Sequence, residues 1–257
     1  MKSSMLRLAR RTFRFINQLL NPWGLLLSKP GIIHGSPAYS GATMWARRLN
    51  QMNFFYQQVK ALEGGVIESG VHWGYGILLH WTANALIGGP KRSIYGFDSF
   101  RGHSAPVEGD FAGGSYQPLD SAFAITQDDV WKTLVLGTGE RKEDLQKRIE
   151  LIAGWMQETM PAFLRQHQVS NTKIALIHAD SDIYEPIKAT LHNTWPLLQV
   201  GGIVILGRLD NPELMGKTKA VQEFLASIPK DQYTLSSIPI MGTDEVLVEG
   251  SYLVKLA

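Results

Sequence analysis

The sequence predicts an α/β fold: a mostly parallel, seven-stranded sheet flanked by helices and preceded by an N-terminal helical extension. Three observations predict it. From Gly65 onward five short apolar runs alternate with helix-like stretches, the pattern of parallel strands joined by crossover helices. Each run passes into glycine or polar residues, as strands do where they open onto a ligand site. Two more β-rich stretches, Tyr233–Ile240 and Val246–Leu256, separated by Met241-Gly242-Thr243-Asp244, are expected to close one edge.

The chain has 257 residues, 44% of them hydrophobic and 19% charged, which suits one large domain with an extension. There is no cysteine, so disulfides, thiolate metal sites and Cys nucleophiles are excluded, and a cytoplasmic location is expected. The net charge of +2 is too small for a nucleic-acid binder. Its distribution is uneven. Residues 1–62 carry nine basic side chains and no acid, leaving 16 basic against 23 acidic groups, a net of −7, in residues 63–257.

Met1–Leu27 reads as an amphipathic helix, with Leu6, Phe13, Ile16 and Leu20 on one side, Arg7, Arg10, Arg11 and Arg14 on the other, and a break at Asn21-Pro22. It has no clean apolar core with a cleavage site and no run of the ~20 apolar residues a spanning helix requires. Such a helix can lie on a membrane surface, but packing on its own domain or on a second subunit is favoured, and a homo-oligomer is expected. The predicted domains are a basic helical extension, 1–62, and a ligand-binding α/β domain, 63–257.

Within that domain the predicted strands are Val66–Glu68, Ser93–Phe97, Ile149–Ala153, Ile174–Ile177 and Ile203–Leu206. Helical patterns follow at Gly76–Ile87, Gln157–Gln166, Tyr184–Leu198 and Lys217–Ile228. Between the second and third strands, 99–148 is too long for a plain crossover and is expected to be a lid-like insertion. A helix is predicted to start inside it at Thr126, where Thr126-Gln127-Asp128-Asp129 matches a capping box.

The strand ends supply the candidate chemistry. The first runs into Glu68-Ser69-Gly70-Val71-His72-Trp73-Gly74, an acid and two glycines at the entry to a helix. The glycines allow close approach of a ligand and the helix start can bind an anion, whereas Glu68 would repel a pyrophosphate. A ligand with both cationic and anionic groups fits, Trp73 and Tyr75 offer cation–π contacts, and a merely capped turn is the alternative. The second strand ends Gly96-Phe97-Asp98-Ser99, where a carboxylate can hold a ribose diol. Together these suggest a nucleoside cofactor that carries an amino acid. The fourth strand ends His178-Ala179-Asp180-Ser181-Asp182, a carboxylate pair at a helix start, able to share work as metal ligand and general base or simply to cap the helix.

These residues resemble the macrocin O-methyltransferase family, class I S-adenosylmethionine-dependent enzymes that methylate sugar hydroxyls of natural products. The matching blocks are Val66–Gly74, Tyr95–Gly102, Gly154–Pro161, Ile174–Glu185 and Gly201–Ile205 with Lys219–Phe224, in family order. The resemblance implies a Rossmann-like methyltransferase fold, S-adenosylmethionine as cofactor and a small-molecule acceptor, a sugar or glycosylated natural product. It implies that Glu68, Gly70, Trp73 and Gly74 hold the methionine part of the cofactor and Asp98 its ribose. Ser99 counts among the cofactor residues, and Ser121–Phe123, Gly154 and Trp155 are implied near the adenine. Asp180, on the cofactor side, matches a family metal ligand, and Asp182 matches a general base.

One departure stands out. After the fifth strand the family reads Asp-Asp-aromatic, whereas this chain reads Gly207-Arg208-Leu209. Mg²⁺ needs an oxygen-rich shell, so the metal site is expected to be lost, unless a shifted loop brings Asp210 to join Asp180. Arg208 would then take the metal's electrostatic place, and His72 or Asp182 would serve as base. The same loss leaves open a second reading, a protein that keeps the cofactor pocket but transfers no methyl group.

Overall fold

The computed structural model describes residues 42–104, 107–110, 125–209, 215–239 and 248–257. The predicted helix Met1–Leu27, the predicted turn at Met241–Asp244, and the candidate residues Phe123 and Asp210 lie outside them. The chain divides into two units, Met1–Arg47 and Arg48–Ala257. Only the start of helix α1 (Ala42–Gln58) belongs to the described part of the first unit; everything below concerns the second.

In chain order the second unit continues with β1 (Gly65–Ser69), α2 (Tyr75–Ile87), β2 (Ile94–Asp98), α3 (Gln127–Thr138), α4 (Lys142–Leu145) and β3 (Ile149–Ala153). There follow α5 (Met156–Val169), β4 (Ile174–Ala179), α6 (Tyr184–Thr194), β5 (Leu198–Gly207), α7 (Met215–Ser227), β6 (Tyr233–Pro239) and β7 (Val248–Lys255). The sheet has the order β3-β2-β1-β4-β5-β7-β6. The first five positions are parallel, and β7 runs antiparallel between β5 and β6. The expected seven-stranded, mostly parallel α/β sheet is therefore present.

Central strands buried on both faces need continuous apolar runs rather than alternation. β1 is buried at all five positions, and Ala175–Ile177 and Ile203–Leu206 are buried in β4 and β5. β3, at the edge, is buried only at Ile149. One layer of core is built from Ile67, Phe97, Ile177 and Val204 of the sheet against Phe163, Ile187 and Phe224 of α5, α6 and α7. On α1, Phe55 and Tyr56 are buried, and Phe55 stacks edge-on against Tyr252 of β7 at 5.3 Å. The carbonyls of Val59 and Leu62, left over where α1 ends, accept hydrogen bonds from the Arg92 guanidinium, as does that of Gly64. The end of the stretch assigned to the N-terminal extension thus packs with the α/β unit.

The insertion carries α3, which starts where the capping box predicts. The Thr126 hydroxyl accepts from the Asp129 N–H, and the Asp129 carboxylate accepts from the Thr126 N–H. Among the described residues, no helix is long and apolar enough to cross a membrane.

Candidate active site

The candidate site lies at the carboxyl ends of β1, β2 and β4. The β1–α2 loop turns sharply because Gly70, at φ 99°, passes so close to the Asp180 carbonyl that a Cβ there would stand 2.7 Å from its oxygen. His72 takes a positive φ of 48°, rare for a residue with a side chain. It is held there by its backbone N–H, which donates to Asp98 Oδ2 at 2.9 Å. The other carboxylate oxygen of Asp98 accepts from the Phe100 N–H at 2.8 Å. Asp98 therefore ties the β1 loop to the β2 loop, and two backbone bonds leave part of its acceptor capacity for a ligand.

Glu68 occupies a different position. It is 1% exposed, and the register pairs it with His178 on the adjacent strand. Its Oε2 accepts from His178 Nδ1 at 2.8 Å and from His80 Nε2 at 3.0 Å. The far nitrogen of His80 faces the Tyr56 hydroxyl at 3.3 Å, which sets the tautomer: Tyr56 donates to Nδ1 and His80 donates from Nε2. Gly76 makes room for the carboxylate, since a Cβ there would stand 1.9 Å from Oε1. Burial alone would raise the Glu68 pKa, but the two imidazoles, His178 foremost, bring it down to about 2. Burial likewise works against protonated His178, and the Glu68 charge more than compensates, raising its pKa. These three side chains form a two-histidine, one-carboxylate set of the kind that can bind a transition metal. The 2.8 and 3.0 Å separations are those of N–H···O bonds, which satisfy the groups as they stand.

The acidic corner follows β4. A helix start often uses its own Asp or Ser as cap, yet α6 does not: its first N–H, that of Tyr184, donates to Asp110 of the insertion at 2.7 Å. Asp110 is 1% exposed and its second oxygen accepts from the Val107 N–H. Asp182 is thereby released from capping and lines the cleft. Its pKa is raised by burial first and by the neighbouring Asp180 charge second, while Lys217 and His103 pull it down. The His72 pKa is lowered, chiefly by burial, so the imidazole is neutral at neutral pH.

Together these elements enclose a cleft of about 210 Å³. Of the residues expected at a site, Gly70, His72, Asp98, Ser99, Gly154 and Trp155 line it, as do Asp180 and Asp182. Glu68, Trp73, Gly74 and Arg208 do not line it; Arg208 is exposed beyond the end of β5. Among the lining residues not anticipated as site residues are His103, Ser104 and Met156. His103 faces both His72 and Asp182 electrostatically. Ser104 is 8% exposed, and its hydroxyl has no hydrogen-bond partner among the described residues, so it offers a ligand an unspent donor and acceptor. The only local hint of either is their place shortly after the Asp98 loop.

Comparison with known proteins gives this geometry a context. The macrocin-O-methyltransferase (TylF) family matches residues 34–236. The chain is 25% identical over 176 residues to demethyldecarbamoylnovobiocin O-methyltransferase of Streptomyces niveus, covering 66% of this chain and 63% of that protein. It is 23% identical over 176 residues to 8-demethyl-8-(2,3-dimethoxy-alpha-L-rhamnosyl)-tetracenomycin-C 4'-O-methyltransferase of Streptomyces olivaceus, with the same coverage. The match thus spans slightly under two thirds of each relative. The crystal structure of the calicheamicin methyltransferase CalS11 superposes with a TM-score of 0.65 and 25% identity, covering 96% of this chain and 91% of that one.

Proposed function

We infer that this chain, which belongs to the macrocin-O-methyltransferase (TylF) family, transfers the methyl group of S-adenosylmethionine to a hydroxyl oxygen of a sugar or glycosylated natural product. The observation that carries this reading is the conjunction of the family match with a cleft in which Asp98 and Asp182 face one space. The natural-product O-methyltransferases among its relatives support the acceptor class. The absence of cysteine supports a cytoplasmic location, and the amphipathic pattern of residues 1–27 supports assembly into a homo-oligomer.

When bound, S-adenosylmethionine supplies a methyl group on a positively charged sulfur, ready for in-line displacement. Asp98 has acceptor capacity left for the two ribose hydroxyls. Gly70 lets the chain approach the methionine part closely, and Gly154 with Trp155 borders the adenine side. Glu68 acts from beneath, by holding β1, β4 and α2 together under the loop, rather than by touching the ligand. Asp182 takes the proton of the acceptor hydroxyl as the carbon–oxygen bond forms and the carbon–sulfur bond breaks. His72, neutral and at the rim, orients the same hydroxyl. Most of the acceleration then comes from holding the two reactants in line.

The family resemblance also implies a divalent cation beside Asp180. Among the described residues, the donor set does not suit one. The next strand offers Gly207, which has no side chain, then the guanidinium of exposed Arg208, and the Lys217 Nζ lies 3.5 Å from where a Cβ on Gly207 would be. A hard cation needs oxygen ligands, and the buried Lys217 ammonium at this position would repel it. No step is therefore routed through a metal.

The reading is tested by incubating the purified protein, in EDTA, with methyl-labelled cofactor and a panel of nucleotide-linked and glycosidic deoxysugars. Label in a sugar ether, lost in Asp182→Asn, is the expected result. Absence of transfer to every sugar alongside transfer to a non-sugar phenol would overturn the acceptor class.

A further inference from the structure

One buried serine of the cleft has a hydroxyl that the fold leaves unspent. Among the described residues three serines line the cleft, Ser99, Ser104 and Ser181. The Ser99 hydroxyl donates to the Gly102 carbonyl and accepts from the Arg101 N–H at 3.0 Å, so it is used in shaping its own loop. That of Ser181 lies 3.3 Å from the Ser69 hydroxyl and 3.4 Å from the Met156 sulfur, and is spent within the fold. Ser104 is different. It is 8% exposed, its Oγ is closed off from solvent, and no described residue hydrogen-bonds to it. A buried polar group without a partner costs free energy, and the cleft that Ser104 lines is where a partner can arrive.

The backbone decides which end of the cleft Ser104 serves. Asp98 holds the start of the loop through the Phe100 N–H, and positive φ at Phe100 (54°) and Gly102 (99°) turns the chain sharply before Ser104. Val107, three residues beyond, donates its N–H to Asp110 Oδ2 at 2.7 Å, and Asp110 Oδ1 accepts from the Tyr184 N–H at 2.7 Å. Three residues reach at most about 10 Å, so Ser104 is tethered near the start of α6, which follows directly on Asp182 and Ile183. The stretch from Asp98 to Asp110 thus runs from the ribose corner to the acidic corner, and Ser104 stands toward its acidic end.

Resting on the methyltransferase reading above, we propose that Ser104 is a specificity-determining residue for the acceptor. Its hydroxyl hydrogen-bonds a second oxygen of the sugar, that of the hydroxyl next to the one that is methylated. A serine hydroxyl donates and accepts at once and carries no charge, which matches another neutral hydroxyl. Asp182 takes the reacting hydroxyl, and the neighbouring ring position carries the nearest other oxygen of the same sugar. An acceptor without that oxygen leaves Ser104 buried and unpaired, so the site selects a vicinal diol.

The test uses the panel sugar that takes most label, together with its analogue in which the hydroxyl next to the methylated oxygen is replaced by hydrogen. In the wild-type chain kcat/KM is expected to favour the diol about tenfold, the effect of one neutral hydrogen bond. Ser104→Ala is expected to lose that preference through a raised KM for the diol, with turnover of the deoxy analogue unchanged, and Ser104→Thr to regain it. A wild type indifferent to the missing hydroxyl, or a folded Ser104→Ala that keeps the preference, overturns the proposal. Two readouts need no acceptor. Ser104→Ala should melt at or above the wild-type temperature, because no bond within the chain is lost; a melting temperature several degrees lower overturns the proposal by showing that the fold uses the hydroxyl. S-adenosylhomocysteine should bind Ser104→Ala with wild-type affinity in calorimetry, and binding weakened about tenfold overturns the proposal by assigning Ser104 to the cofactor. The premise fails separately. Transfer by the wild type to no sugar of the panel defeats the reading of the acceptor and the role of Ser104 with it, whereas wild-type transfer with an unchanged preference in Ser104→Ala defeats the inference alone.

Discussion

Replacing Glu68 by Gln keeps the shape of a fully buried side chain and removes its charge. Two imidazole N–H groups, at 2.8 and 3.0 Å, donate to the same oxygen of Glu68, and neither finds another acceptor there. The fall of the Glu68 pKa from 4.5 to about 2, at about 1.4 kcal/mol per pH unit, corresponds to roughly 3 kcal/mol of stability carried by the ionised form. The cost of breaking a buried, hydrogen-bonded ion pair is of the same order, about 3–5 kcal/mol. Because the folded-state value is depressed, the stabilisation is complete above the ordinary carboxylate range and fades as pH falls toward 2. Urea unfolding at pH 7 should therefore place Glu68→Gln about 3 kcal/mol below the wild type. Tyr56→Phe, which deletes only the 3.3 Å bond at the far end of the chain of groups, should lose about 1 kcal/mol. A Glu68→Gln loss smaller than that of Tyr56→Phe, with unchanged denaturant slope, would refute the view that this carboxylate is a structural anchor.

Three further predictions concern the cleft and the elements around it. Asp98→Ala removes the acceptor shared by His72 and Phe100 and should weaken S-adenosylhomocysteine binding by about 1–3 kcal/mol; an unaltered calorimetric affinity would remove Asp98 from the ribose site. Methyl transfer should lose activity as pH falls through the Asp182 pKa, with a midpoint above the ordinary aspartate value because burial and Asp180 raise it; a pH–rate profile flat through the acid range would exclude Asp182 as the base. Gly216→Ala puts a Cβ where Asp110 Oδ1 stands, so it should lower the melting temperature by several degrees, as expected for roughly 1–3 kcal/mol of overpacking, whereas thermal scans that coincide with the wild type would show that Asp110 does not brace α7.

Much of the fold could be read from local pattern because its signals are local. β1 and β4 are short apolar runs that end in polar residues, and the start of α3 is encoded within four residues, Thr126 to Asp129. The Asp98 corner was legible for the same reason, as a carboxylate at a strand end. The insertion of β7 between β5 and β6 is a matter of long-range pairing that no window of sequence contains. Several site residues escaped for a similar reason. His80 sits in the middle of a mostly apolar helix, and only the packing of α2 on β1 brings it to Glu68. Asp110 lies in a glycine-containing loop far in sequence from the Tyr184 N–H that it caps. Lys217 looks like any helical lysine until the sheet buries it beside Gly207. Arg208, the residue that sequence pattern placed in the metal's stead, is exposed, one residue past the end of β5 at Gly207.

The most direct measurement is calorimetric titration of the wild-type chain with S-adenosylhomocysteine in EDTA, which needs neither the acceptor nor a metal. Saturable binding at one site per chain with micromolar affinity, lost in Asp98→Ala, is the predicted result. A folded protein that releases no binding heat at millimolar ligand would contradict the account at its centre.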